Sequence, residues 1–375
     1  MKIGIDARLL ERRMTGMGRY LTNIVRYISE YDRENQYVLF SYNTLPGFPK
    51  NNVINIPTKK GMMSGGLQKI WSALWLHAVL PRFVRKENID VLFAPNALLP
   101  LVDTNTKNVI TIPDVFQLIN PKFHSPLYRA YISFFLSRGL KKTDLVLTIS
   151  EASKRDIIRL MHVPENKIKV TYLAAEDRFM PRKLSLKERN YYLEKYKLPE
   201  RFILYIGVLE NRKNIEGIIR IADAMKKKTD APIVLAGRGG YGGKRFIEEI
   251  KRHNNIYYLG FFDDADIPYL YNLAEAFIFP SYYEGFGIPP LEAMQSGTPV
   301  VVSNTSSLPE VVGEGGMLLS PTDTKGFSEA LLRLLEDKKF HEEMVQKGIL
   351  QAKKFSYRKL AEETIAALKE VGAKI

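Results

Sequence analysis

Short apolar runs recur along this chain with amphipathic stretches between them, and that rhythm limits the possible folds more than any other feature. In the first half the runs are Lys2–Asp6, Tyr37–Ser41, Val53–Ile56, Val91–Ala94, Val109–Ile112, Leu145–Ile149 and Lys167–Tyr172. In the second half they are Phe202–Ile206, Ile233–Ala236, Ile256–Leu259, Ala276–Phe279, Val300–Ser303 and Gly316–Leu319. Stretches such as Ala152–Met161, Ile215–Lys226 and Ile267–Ala274 carry apolar residues at helical spacing. Strand and helix in alternation predict an α/β protein whose parallel sheets are covered by helices on both faces. With 375 residues there is room for two doubly wound domains, each with its own core. The polar segment Pro181–Pro199 should hold the join, and a last helix, Tyr357–Val371, could dock on either domain. Ligands of open α/β sheets lie beyond the carboxyl ends of the strands, so the expected site is the cleft between two facing domains.

Composition narrows the functional classes. The absence of cysteine excludes disulfides and thiolate–metal sites. Met1 leads directly into a strand with no signal-like apolar segment, and no run of about 20 apolar residues could span a bilayer. The expected location is cytoplasmic. The formal charge of +14 is compatible with nucleic acid, an anionic membrane or anionic substrates. Basic residues are spread along the chain without a nucleic-acid-binding signature, so no nucleic acid is expected. Residues 58–86 hold Lys59, Lys60, Lys69, Trp71, Trp75, Arg82, Arg85 and Lys86. That stretch reads either as an interfacial face meeting anionic lipid, which would place the protein peripherally on the inner face of the membrane, or as a core helix with solvated lysines.

The chemistry-bearing residues sit after the strand-like runs. Glu284 and Glu292, eight positions apart, flank a glycine-broken turn, Gly285-Phe286-Gly287. Carboxylates accept hydrogen bonds from paired hydroxyls, and N–H groups at a helix start suit phosphate, so the pattern suggests a sugar nucleotide. Arg212 and Lys213 follow the run that ends at Gly207 and could neutralise a diphosphate leaving group; the plain alternative is a solvated basic pair. Gly16 and Gly18 let backbone approach a phosphate or merely form a tight turn. Gly237-Arg238-Gly239-Gly240-Tyr241-Gly242 is a poor dinucleotide fingerprint, because the next run lacks a ribose-binding acid, and reads as a loop lining the cleft. Asp114 could face the cleft or cap the following turn. Asp264-Ala-Asp266 resembles a metal motif, but Asp263 or Asp264 as a helix cap is the expected role. His77, His124, His162, His253 and His341 show no metal-ligand spacing.

Taken in order, these segments resemble glycosyltransferase family 4, retaining sugar-nucleotide transferases of GT-B architecture with two Rossmann-like domains. Thr-Gly-Met-Gly-Arg-Tyr (15–20) is similar to the first-loop motif, Leu-Thr-Ile-Ser-Glu (147–151) to a strand-to-helix signature, and 204–214 to the phosphate-binding segment. Residues 284–300 resemble the E-x7-E block, and 300–313 continue it. The resemblance implies an acceptor domain at 1–185, joined by the helix 357–375, and a donor domain at 195–356. It implies that Glu284 holds hydroxyls of the donor sugar, Glu292 the ribose, and Lys213 the diphosphate. Gly285, Phe286 and Gly287 would offer backbone N–H groups, and Gly16 and Gly18 would close on the same phosphates. No metal or other cofactor is expected. Two departures stand out: Pro113-Asp114 replaces the family's frequent His-Asp, and Val208 replaces an arginine that Arg212 could stand in for.

The expected activity is transfer of a hexose, mannose from GDP-mannose first, to a hydroxyl of a glycan or lipid-linked glycan in polysaccharide or lipopolysaccharide biosynthesis. The opening segment, similar to bacterial polysaccharide mannosyltransferases, points to mannose. UDP-glucose or UDP-N-acetylglucosamine are alternative donors. A nucleotide-sugar epimerase and a non-catalytic membrane- or nucleic-acid-binding protein are the rivals from other classes.

Overall fold

The computed structural model describes residues 1–11, 16–58, 67–119, 126–240 and 242–373, without the side chains of 67–70 and 126–133. Thr15, Lys59, Lys60, His124, Tyr241, Lys374 and Ile375 therefore lie outside the described residues.

All the expected strands form. β1 (Lys2–Asp6), β2 (Gln36–Ser41), β3 (Val53–Pro57), β4 (Val91–Ala94), β5 (Lys107–Thr111), β6 (Leu145–Thr148) and β7 (Ile168–Val170) build one sheet in the order β3-β2-β1-β4-β5-β6-β7. β8 (Ile203–Ile206), β9 (Ile233–Ala236), β10 (Ile256–Gly260), β11 (Ala276–Phe279), β12 (Val300–Ser303) and β13 (Gly316–Leu319) build a second, in the order β10-β9-β8-β11-β12-β13. Every pairing is parallel. Central strands such as Ile-Leu-Tyr-Ile of β8 and Ala-Phe-Ile-Phe of β11 are buried throughout, which is why they are continuously apolar rather than alternating.

The order reverses between β1 and β4 in the first sheet and between β8 and β11 in the second. At such a switch point the connections leave in opposite directions and open a crevice at the carboxyl ends.

The chain divides into Met1–Leu173 with Tyr357–Ile375, and Ala174–Ser356. The first boundary thus precedes the expected join, because residues after 173 are stitched into the second unit. Gln295 Nε2 donates to the carbonyls of Glu176 and Phe179 at 2.9 and 2.8 Å, and the buried Phe179 ring meets Tyr271 edge-on. The polar segment expected to be a join contains a helix, Leu186–Tyr196, opened by a reciprocal capping box between Ser185 and Glu188. Ser-x-x-Glu is its sequence signal.

The helix Tyr357–Gly372 belongs to the first unit. It buries Leu360, Ala361, Thr364, Ile365 and Leu368 and packs on the helix Gly16–Tyr31 and beside β4, β5 and β6. Each such leucine contributes about 1.5–3 kcal/mol by leaving water. The Met1 side chain lies over Gly372, where a Cβ would stand 2.0 Å from Met1 Sδ and would displace that flexible side chain.

The tryptophans of 58–86 face the core, the second of the two readings of that stretch. Trp75 is fully buried and donates Nε1–H to Thr58 Oγ1 at 2.5 Å, while Trp71 is half-buried against the same core. Leu76 and Leu80 are buried too, and the exposed groups of this stretch include Leu74, Arg82, Arg85 and Lys86. The helical run continues from Leu67–Leu74 through a π-turn, Trp75–Val79, into Leu80–Lys86. None of the described helices is long and apolar enough to cross a membrane.

Candidate active site

The second switch point gathers four charged side chains. After β8 the chain makes a tight turn, Asn211–Lys213, and Asn214 follows in the left-handed region at φ 56°. Buried Asn214 caps the helix Ile215–Met225 by accepting from Gly217 N, and its Nδ2 donates to the carbonyls of Pro280 (3.1 Å) and Pro321 (2.7 Å). One side chain therefore fixes the turn after β8 to the turn after β11, and Lys213 is aimed across the gap. Its Nζ lies 2.6 Å from Glu284 Oε1 and 4.7 Å from the centre of the Phe279 ring. Arg212 Nη1 donates to Glu284 Oε2 at 3.0 Å and to the Tyr283 carbonyl at 2.9 Å. Its Nε and Nη2 meet Glu210 Oε1 at 3.1 and 3.0 Å.

Glu284 and Lys213 are almost completely shielded, with side chains 8% and 9% exposed. Burial works against a charged carboxylate, but Lys213 and Arg212 outweigh it and hold the Glu284 carboxyl below the usual range. Burial, then Arg212, push the Lys213 ammonium toward losing its proton, and Glu284 pushes back. The ionised pair is the state that this geometry supports, since each oxygen of Glu284 faces its own cation. Such a buried pair is weak as a stability device, because desolvation offsets the attraction. Shifted groups gathered at a switch point are instead the mark of a functional site.

The Glu284–Gly287 turn is held from below. Glu284 N donates to Ser306 Oγ at 2.8 Å, and Ser307 Oγ donates to the carbonyls of Glu284 and Phe286 at 2.9 and 2.6 Å. Phe286 is buried edge-to-face on Phe355, so only its backbone can serve a ligand. Gly287 has φ 112°, and a Cβ there would stand 2.7 Å from Leu308. The helix Ile288–Gln295 begins at once, with no side chain capping it. Its start is a poorer anion site than the sequence pattern suggests, because Pro289 and Pro290 carry no N–H. Glu292, on the second turn of that helix, is buried and accepts from Tyr271 O–H at 3.1 Å.

Other expected site residues have structural explanations. A Cβ on Gly237, at φ 146°, would stand 1.9 Å from the Gly207 carbonyl oxygen, and one on Gly207 would stand 2.7 Å from Tyr205 Oη. Gly237 lets backbone approach backbone, and Gly207 leaves room for the Tyr205 hydroxyl. The glycine-rich loop is zipped onto the segment after β8: Leu209 N donates to the Arg238 carbonyl and Gly240 N to the Leu209 carbonyl, both at 2.9 Å. Asp114 Oδ1 accepts from Phe116 N at 3.0 Å, the capping alternative. Around Gly16 a Cβ would meet nothing within 4 Å, so packing does not demand glycine there, while Gly18 is buried in the same helix. Gly16, Gly18 and Asp114 belong to the first unit and the other site residues to the second.

The acids at 263–266 do not cap through their side chains. They are used in ion pairs that fasten the start of the second unit: Asp264 with Arg178 at 2.7 Å, and Asp266 with Lys195 at 2.5 Å and Tyr196 O–H at 2.6 Å. Among the described residues no group of three or more His, Asp or Glu converges to hold a metal ion.

Sequence reasoning missed Glu210, Ser306, Ser307 and Tyr271 as partners of the site. Glu210 stands two residues before Arg212, a spacing visible in the sequence but uninformative until the turn is folded. Missed also was the first unit's own switch point. There Asp6, fully buried, takes Arg8 Nη2 at 2.6 Å and Asn96 Nδ2 at 2.9 Å, while the Arg8 guanidinium lies 4.4 Å from the Trp75 ring centre and donates to Ser72 Oγ.

Two all-parallel, doubly wound units are the architecture of the GT-B class, the fold this chain shares with solved glycosyltransferases. The chain belongs to glycosyltransferase family 4: that family's model matches residues 14–176, and the model described as glycosyl transferases group 1 matches 192–351. It is 33% identical to O-antigen chain mannosyltransferase B of Escherichia coli, over 98% of this chain and all of that one. It is 29% identical to the serotype-specific mannosyltransferase WbdA of Escherichia coli over 70% of this chain, which spans 33% of that longer protein. In fold it is similar to Anabaena HepE, solved in complex with UDP and glucose, with a TM-score of 0.72 at 18% identity over 98% of this chain and 99% of that one.

Proposed function

We propose that this enzyme transfers a mannosyl residue from a nucleotide diphosphate sugar, GDP-mannose first, to a hydroxyl of a glycan or lipid-linked glycan during polysaccharide or lipopolysaccharide assembly, with retention at the anomeric carbon. The observation that carries this reading is the Glu284–Lys213–Arg212 cluster at the β8/β11 switch point. The mannose assignment draws on the named activity of the Escherichia coli relative, with which the chain aligns end to end.

The residues divide the task. A carboxylate offers about four acceptor positions. Lys213 and Arg212 use two of those on Glu284, leaving room for hydroxyls of the donor sugar. Lys213 has three N–H donors, of which one is directed at Glu284. The others and the Arg212 guanidinium would meet the diphosphate as the bond from C1 to the phosphate oxygen breaks. The acceptor oxygen forms its bond to C1 on the same face, and its proton passes to the departing phosphate. Developing charge is met by groups already in place, without reorganisation. Glu292 would take the ribose hydroxyls. Two side-chain cations make a divalent metal unnecessary in this scheme, so EDTA should leave turnover intact. An anionic membrane, if the acceptor is lipid-linked, would be met by exposed cations such as Arg82, Arg85 and Lys86 rather than by the buried tryptophan.

A thermal-shift panel of GDP, UDP, ADP and their sugar conjugates tests the donor, since a ligand of the native state raises its stability. GDP-mannose should give the largest shift. A larger shift with UDP-glucose or UDP-N-acetylglucosamine would replace the donor, and no shift at millimolar concentration would overturn the reading.

A further inference from the structure

The donor site places two cations on one buried carboxylate, and the geometry shows what balances them. Arg212 bridges Glu284 and Glu210, with Nη1 on the first and both Nε and Nη2 on a single oxygen of the second. Two contacts from the same edge of a planar guanidinium fix its plane as well as its position. Glu210 is itself seated: the loop zipped onto Leu209 brings Gly240 alongside, where a Cβ would stand 3.3 Å from Glu210 Cβ and 3.3 Å from Oε2. The glycine-rich loop therefore lies alongside the residue that aims Arg212.

We propose that Glu210 is a positioning residue for the donor site: it clamps Arg212 against Glu284 and supplies the second negative charge that lets two cations share one buried carboxylate. With it, the cluster of Glu210, Arg212, Lys213 and Glu284 carries balanced charge. Without it, Arg212 keeps its contact with Glu284 but stands as an unbalanced cation beside Lys213. This inference rests on the assignment of Lys213 and Glu284 to the donor.

The consequence for pH follows from the groups around Lys213. Burial and Arg212 favour loss of its proton, while Glu284 and Glu210 oppose it. The Tyr205 hydroxyl, buried nearby, is pushed well above its ordinary range by burial and by the same two glutamates, and it stays neutral. Removing the charge of Glu210 removes one of the forces that keep Lys213 protonated. It also leaves Arg212 to act on Glu284 undiminished, which holds that carboxyl lower still. Both limbs of the rate profile then move toward acid.

The test is the pH dependence of kcat and KM for Glu210→Gln and Glu210→Ala, with Glu216→Gln as the control. Glu216 is an exposed acid on the same segment that pairs with Arg245 outside the cluster. Glu210→Gln should shift the alkaline limb toward acid by about one pH unit. It should lower kcat several-fold at neutral pH with KM little changed, and Glu210→Ala should lower it further. Glu216→Gln should move neither limb. A reduced rate with unmoved limbs would overturn the proposal, as would a profile like that of the unaltered enzyme. Lys213 reactivity toward acetic anhydride, followed across pH by peptide mass spectrometry, reads the same protonation without a donor. An unshifted midpoint in Glu210→Gln would also overturn it. Absence of sugar transfer by the unaltered enzyme would instead count against the function, leaving the labelling to decide the role of Glu210.

Discussion

The two switch points of this protein are built alike and finished differently. Each has a carboxylate shielded from solvent at the carboxyl edge: Asp6 between β1 and β4, and Glu284 between β8 and β11. Asp6 is answered by one cation, Arg8, whose guanidinium is stacked on Trp75 and bound to Ser72. The Glu284 carboxylate is answered by two cations, one of which, Arg212, is also held by a second acid and keeps a side chain 22% exposed. A single matched pair closes on itself and serves packing. In the second cluster the charges balance as well, but one cation is shared between two acids and Lys213 directs one of its three N–H groups at Glu284, the opening on which the proposed donor role rests.

Substitutions on the two sides should separate stability from chemistry. Arg8→Met leaves Asp6 buried without its cation and should cost about 3–5 kcal/mol of stability by chemical denaturation. Well below its melting temperature, the variant should bind donor as before. If donor affinity fell with it, the first edge would share the second's role. Glu284→Ala should depress kcat about 10²–10³-fold, more than it weakens nucleotide binding. Equal loss in both would mean that Glu284 only anchors the donor. Glu292→Ala should show the reverse pattern, with a donor Kd raised on the order of 10-fold and a smaller change in kcat, read by calorimetry and initial rates. Lys213→Ala should abolish most turnover, and Arg212→Ala should lower it less severely. Arg212→Ala with full activity would show that it does not stand in for the arginine absent at Val208. At the small end is acid sensitivity. Because the Glu284 carboxyl is held below its ordinary value of 4.5, its contribution is complete above that pH and is lost as pH falls through the lower folded value. The melting temperature of the unaltered protein should therefore drop more steeply below pH 4.5 than that of Glu284→Gln.

Much of the fold was legible because parallel strands buried on both faces must be continuously apolar, as Val91–Ala94 and Ala276–Phe279 are. Boundaries shifted by a residue or two at β5 and β7, where the apolar run and the hydrogen-bonded ladder do not coincide. The helix Leu186–Tyr196 was illegible to hydrophobic patterning because it buries none of its residues, although its capping box was readable. In the site, Glu284, Lys213 and Arg212 could be read as neighbours because strand ends at a switch point converge. The pairing of Glu284 with both cations could not, since a sequence does not say that a site's opposite charges will face each other before a ligand arrives. The sequence left two readings of Trp71 and Trp75 open for a related reason: apolar aromatic rings beside lysines look the same whether a lipid or a sheet lies beneath them. Pro289 and Pro290 were in plain view, and their missing N–H groups weaken the helix start as an anion site.

The return of Tyr357–Gly372 to the first unit makes the chain a nested one, with residues 174–356 inserted into the first unit before its last helix. During synthesis, the half that begins first is therefore completed last. The Ala174–Ser356 unit has all of its strands once residue 356 has left the ribosome, whereas the first sheet waits with the apolar seat of Leu360, Ile365 and Leu368 uncovered. A polypeptide interrupted near residue 356 would carry a complete second unit and an unfinished first one exposing an apolar groove. That is the kind of surface on which quality-control chaperones act.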